Sequence, residues 1–184
     1  MRMSAGQSRD LNPVVEGDPQ QAAREVMGGK SGAQFAMYAE LAAQLAGAGD
    51  AATQSYAAYG AALAIAGQME SDLADVLDEA SDDLRGGKVT YPIATALARL
   101  EGGDRDALVR LLGEARSDPT AQEAVRDRLQ GSGALIQTAL AIQVEVRRAT
   151  SALDAADAHG PAADELRRMA REASVLPSGV AARR

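Results

Sequence analysis

Helix punctuation runs along almost the whole chain, and nothing in the chain competes with it. Asp18-Pro19, Asp118-Pro119 and His159-Gly160-Pro161 each place a helix start where Pro occupies the first helical position. Period-two alternation is absent and β-branched residues are scattered, so no strand is predicted. Alanine contributes 41 of 184 residues, against five aromatics: Phe35, Tyr38, Tyr56, Tyr59 and Tyr91. Alanine is the best helix former but buries little area, so a closely packed, thin-cored all-α chain is expected.

The pattern predicts a helix from Pro19 that is interrupted at Gly28-Gly29 and resumes over 31–45. It stops at Gly47-Ala48-Gly49, and Asp50 opens a long helix to about Asp78. Leu63, Gly67, Ser71 and Ala74 share one face of that helix. Residues 79–88 read as a polar loop. Further helices are expected at 91–100, 105–115, 119–130, 134–158 and 161–174, with a turn at 101–104. One helical domain over 1–176 and a disordered tail over 177–184 are expected.

Composition removes several functional classes. With no Cys there is no disulfide framework, thiolate metal site or Cys nucleophile. The single His159 excludes a His-rich zinc centre. A net charge of -7 argues against non-specific nucleic-acid binding. No apolar run reaches the roughly 18 residues of a membrane helix, and no signal-peptide pattern opens the chain, so a soluble, cytoplasmic protein is expected.

The chemistry is concentrated in the long helix and the loop after it. Asp72 and Asp75 are three residues apart and project from one side, and Gln68 lies one turn earlier. Such like charges repel, and a cation between them would relieve the repulsion. Mg²⁺ typically takes one or two protein carboxylates and completes its octahedron with water and phosphate oxygens. A solvated acidic face is the plainer alternative for D-x-x-D. In the loop, Gly86-Gly87 precedes Lys88. Gly permits close backbone approach to a phosphate, and Lys offers it a compact positive charge. Only two of the 19 basic residues are lysines, Lys30 and Lys88. Phe35 and Tyr38, beside Lys30, read as core residues; contact with a bound hydrocarbon is the other possibility.

Together these segments resemble the trans-isoprenyl diphosphate synthases, the polyprenyl synthetase family. Its Q-x-x-D-D-x-x-D pattern is matched at Gln68, Asp72 and Asp75. Its D-L-R-x-G-K-x-T-x-P loop is matched at Asp83, Leu84, Arg85, Gly87, Lys88, Thr90 and Pro92. Gly29-Lys30-Ser31-Gly32 is similar to its K-T-G segment, with Ser31 for Thr, and Gly6-Gln7-Ser8-Arg9-Asp10-Leu11 to its G-Q-x-x-D-L segment. The resemblance implies an antiparallel helical bundle like the C-terminal part of the isoprenoid synthase fold. It implies Asp72 and Asp75 as Mg²⁺ ligands. It also implies Lys30, Ser31, Gln68 and Lys88 as contacts for an allylic or isopentenyl diphosphate. The implied reaction is prenyl transfer onto isopentenyl diphosphate.

Three departures bear on function. The family's other motif, D-D-x-x-D, would precede Gly6. Ser71 stands where the first Asp of the remaining motif belongs, and a hydroxyl is a poorer Mg²⁺ ligand than a carboxylate. The loop between Asp75 and Asp83 is short. The expected role is a subunit or fragment supplying the second Asp-rich motif, inactive alone. It would work as a homo-oligomer or beside a subunit that carries the first motif. The alternative is a non-catalytic prenyl-diphosphate-binding, regulatory or interaction protein derived from the fold.

Overall fold

The computed structural model describes residues 17–173. Gly6–Leu11 and the tail 177–184, both singled out above, lie outside them. Every regular element among the described residues is helical. Helix α1 is Pro19–Met27, a π-helical turn follows at Gly28–Gly32, and α2 is Ala33–Leu45. Helix α3 is Asp50–Leu77, α4 is Asp82–Gly86, α5 is Tyr91–Arg99 and α6 is Gly102–Glu114. Helix α7 is Pro119–Gly131, α8 is Ala134–Ala155 and α9 is Pro161–Glu172.

The caps explain most of the boundaries. The Asp18 carboxylate accepts from the Gln20 and Gln21 amides at 2.9 and 3.3 Å, as its place before Pro19 predicts. Asp118 caps α7 in the same way through the Thr120 amide, at 2.8 Å. Helix α2 ends in a Schellman turn. Gly47 is left-handed at φ 75, its amide donates to the Gln44 carbonyl, and Ala48 donates to Ala43.

Four expectations need correction. Helix α6 begins at Gly102, inside the turn expected at 101–104. Gly28-Gly29 does not break the helix. The backbone passes from Met27 to Ala33 at helical angles, widened so that the Ala33 amide reaches the Gly28 carbonyl. Residues 79–88 are not all loop, because Ser81 caps the one-turn α4 by accepting from the Leu84 amide at 3.1 Å. Helix α8 stops at Ala155 rather than 158. Asp157 takes a left-handed conformation at φ 53, which Asp tolerates, and the Ala158 amide returns to the Leu153 carbonyl.

The described chain groups into two compact units. One comprises 25–68 and 141–173; the other comprises 17–24 and 69–140. In the first, Tyr59 of α3 is buried and its hydroxyl donates to the Leu166 carbonyl of α9 at 2.9 Å. Gly60 lies where a Cβ would stand 2.4 Å from the Phe35 carbonyl oxygen, so α2 and α3 cross almost backbone to backbone. Arg167 of α9 holds the end of α8 through Asp154 and the Ala158 carbonyl.

In the second unit α5 is buried on every side from Tyr91 to Leu97, as a helix at the centre of its neighbours must be. Helix α7 packs on α5 and α6. Its Arg126 is nearly fully buried and donates to the Val76 and Asp78 carbonyls at 3.0 and 2.5 Å. The Val76 carbonyl lies in the last turn of α3 and Asp78 just beyond it, so Arg126 anchors the C-terminus of the helix that carries Asp72 and Asp75.

Candidate functional site

Lys30, Ser31 and Gln68 fall in the first unit. Lys30 and Ser31 sit on the π-helical turn, where three glycines leave the backbone room to widen. Lys30 is exposed. The Ser31 hydroxyl donates to Gln68 Oε1 on α3 at 3.3 Å, so two residues from separate motifs do meet. Gly32 is buried, and a Cβ added to it would stand 3.4 Å from the Ile65 side chain, so the turn lies close against α3.

Helix α2 continues directly from this turn. Phe35 and Tyr38 are not core residues: they are 45% and 51% exposed, with rings paired at 6.1 Å. Leu41 and Leu45 are exposed as well. Tyr38, Leu41 and Leu45 recur at helical spacing, so α2 carries an apolar stripe that follows Lys30 in the chain.

Asp72, Asp75 and Lys88 fall in the second unit. Asp72 is only 6% exposed, and its Oδ2 accepts from the Tyr91 amide at 3.0 Å, at the start of α5. Asp75 accepts three times from the start of α4: from the Ser81 hydroxyl, from the Asp82 amide at 3.2 Å and from the Asp83 amide at 3.1 Å. Lys88 Nζ pairs with Asp83, and the Lys88 amide donates to the Asp83 carbonyl at 3.0 Å. Gly87 has a conformational role. It is left-handed at φ 64 and ends α4, and a Cβ there would strike the Arg116 guanidinium. Thr90 Oγ1, one residue before α5, is buried without a hydrogen-bond partner.

Residues 1–129 match the family model for polyprenyl synthetase. The chain belongs to the polyprenyl synthetase family. Solved structures give the same fold. A decaprenyl diphosphate synthase from Rhodobacter capsulatus matches with TM-score 0.83 at 24% identity, over 94% of this chain and 55% of that one. A polyprenyl synthase from Roseobacter denitrificans matches with TM-score 0.82 at 26% identity, over 94% and 59%. A geranylgeranyl pyrophosphate synthase from Corynebacterium glutamicum, solved with isoprenyl diphosphate and magnesium, matches with TM-score 0.82 at 23% identity, over 94% and 52%. The chain therefore spans little more than half the length of these relatives. No match was found among curated proteins. No described helix is long and apolar enough to cross a membrane.

The family membership makes the donor set for Mg²⁺ a direct question. Among the described residues no group of three His, Cys, Asp or Glu side chains stands together as a metal site. Ser71 is exposed and offers only a hydroxyl. Asp75 has both oxygens engaged by α4, and Asp72 is buried under the start of α5. In this arrangement the two carboxylates do not fit a metal ion that dehydrates reluctantly and demands near-octahedral oxygen ligands. Sequence reasoning missed Ser81 and Asp83 as the partners of Asp75 and Lys88. The signal was present, since Ser81 followed by Asp82-Asp83 reads as a cap with an acidic first turn.

Proposed function

We propose that this chain binds an isoprenyl or polyprenyl diphosphate and acts in prenyl transfer as one part of a synthase. The rest of the synthase fold would come from a helical complement carrying the family's D-D-x-x-D motif. One observation carries the proposal. A lysine and a serine stand just before α2, the serine bonded to Gln68 of α3, and α2 itself exposes Phe35, Tyr38, Leu41 and Leu45. That order of chemistry, anion-binding and then hydrocarbon-binding, suits a prenyl diphosphate. Lys30 supplies the charge, while Ser31 and Gln68 orient oxygen atoms. Phe35 and Tyr38 offer apolar contact to the first prenyl units. In the other unit, Lys88 would hold a phosphate oxygen only by giving up Asp83.

The match to little more than half of each relative supports the complement. So does the apolar face of α2, whose 13 residues run about 20 Å. Calorimetric titration with an isoprenyl diphosphate, inorganic diphosphate and the corresponding alcohol tests the binding. Binding of the isoprenyl diphosphate more tightly than either half, weakened about tenfold or more by Lys30→Ala, is expected. Equal affinity for wild type and Lys30→Ala would overturn the proposal.

A non-catalytic role is the second reading. Ser71 and the capping engagement of Asp72 and Asp75 favour it. Turnover in the presence of the complement separates the two.

A further inference from the structure

We infer that Asp72 and Asp75 fasten the segment 78–91 to the long helix α3, and that this, not metal ligation, is their function in this chain. The segment is tied at both ends and across its middle. Asp75 holds its beginning by accepting from the Ser81 hydroxyl and the Asp82 and Asp83 amides. Asp72 holds its end by accepting the Tyr91 amide at 3.0 Å. Asp83 closes the middle through both its carbonyl and its carboxylate, which take the Lys88 amide and Nζ. Motif residues that a sequence pattern assigns to metal and phosphate thus form one interlocking set of caps.

The chemistry of the donors supports this use. A carboxylate offers about four acceptor positions. Three of those on Asp75 are taken by donors of one short helix, all within the same unit. A carboxylate facing freed amides at a helix start is favoured by both hydrogen bonding and the helix dipole. Moving Asp75 to a cation would take the acceptor from the Asp82 and Asp83 amides and from the nearly inaccessible Ser81 hydroxyl, and moving Asp72 would take it from the Tyr91 amide. Ser71 fits the same use. Where the carboxylates serve as caps, the neighbouring position needs no third acid, and it carries an exposed serine.

The test uses the whole chain and two readouts. Amide hydrogen exchange is measured at Asp82, Asp83 and Tyr91 with and without millimolar Mg²⁺, and Mn²⁺ binding is measured by electron paramagnetic resonance. In the wild type, Mg²⁺ is expected to leave exchange at these three amides unchanged. Asp75→Ala is expected to speed exchange at Asp82 and Asp83 about tenfold, the size of one lost charge-assisted hydrogen bond. Asp75→Asn, which keeps an acceptor, restores part of the protection. Mn²⁺ affinity is expected to be the same for the wild type, Asp72→Asn and Asp75→Asn. The inference is overturned if Mg²⁺ alters exchange at those amides in the wild type, which requires no variant to fold. It is equally overturned if either Asn variant weakens Mn²⁺ binding, or if Asp75→Ala leaves exchange unchanged. Neither readout depends on Lys30, so failure here is distinct from failure of the diphosphate-binding proposal.

Discussion

Tyr59 links burial to pH. Its hydroxyl donates to the Leu166 carbonyl, and desolvation raises its pKa above the ordinary 10.0. The folded state therefore keeps a proton that the unfolded chain loses. The contribution is fully present below pH 10.0 and is lost as pH rises through the folded value. Thermal denaturation of Tyr59→Phe should show a loss of about 1 kcal/mol at neutral pH. It should also show a shallower alkaline decline than the wild type. Thr90 gives the opposite expectation. Its hydroxyl is buried without a partner, so Thr90→Val, which keeps the shape, should be neutral or stabilising by about 1 kcal/mol in the same assay. Both side chains were visible in the sequence, but nothing there revealed their surroundings. Tyr59 needs a carbonyl 107 positions away, and Thr90 stood only as one letter of a loop pattern.

At the scale of elements, local chemistry was the most legible part of the sequence. Asp18, Asp118 and Gly47 act as caps in the places their types predict, and α3 runs within a residue of its expected span. The π-helical turn was not legible, because a glycine pair is equally compatible with a break and with a widened helix. The crossing of α2 and α3 was not legible either. Gly67 shares a face with Leu63, Ser71 and Ala74, yet nothing lies within 4 Å of its Cβ position; Gly60 is the residue on which the crossing depends. Gly60→Ala should therefore destabilise the chain by about 1–3 kcal/mol in denaturant unfolding, whereas Gly67→Ala should stabilise it by up to about 1 kcal/mol through helix propensity. On α9, Arg168 bridges Glu165 and Glu172 and lowers the Glu165 pKa through its hydrogen bond. The benefit of that pair is present above the ordinary glutamate range and fades as pH falls through the folded value.

For the whole molecule, the motifs point to the family from the letters alone, since four segments occur in the family's order. What each motif residue does was less legible. Spacing placed Asp72 and Asp75 on one side of a helix, and a metal or a solvated face were the available meanings. Only the path of residues 78–91 revealed a third use, as acceptors for two helix starts. The same limit applies to Phe35 and Tyr38 of α2, which read as core and are exposed in the folded chain. On the proposed function, this chain binds a prenyl diphosphate and needs a complement for prenyl transfer. The most direct measurement is an elongation assay with isoprenyl diphosphates and Mg²⁺, run on the purified chain alone and again with a polypeptide carrying the D-D-x-x-D half. The proposed function requires no elongated product from the chain alone, and product from the pair that falls with Lys30→Ala. Mg²⁺-dependent product from the chain alone, abolished by Asp72→Asn, would contradict it.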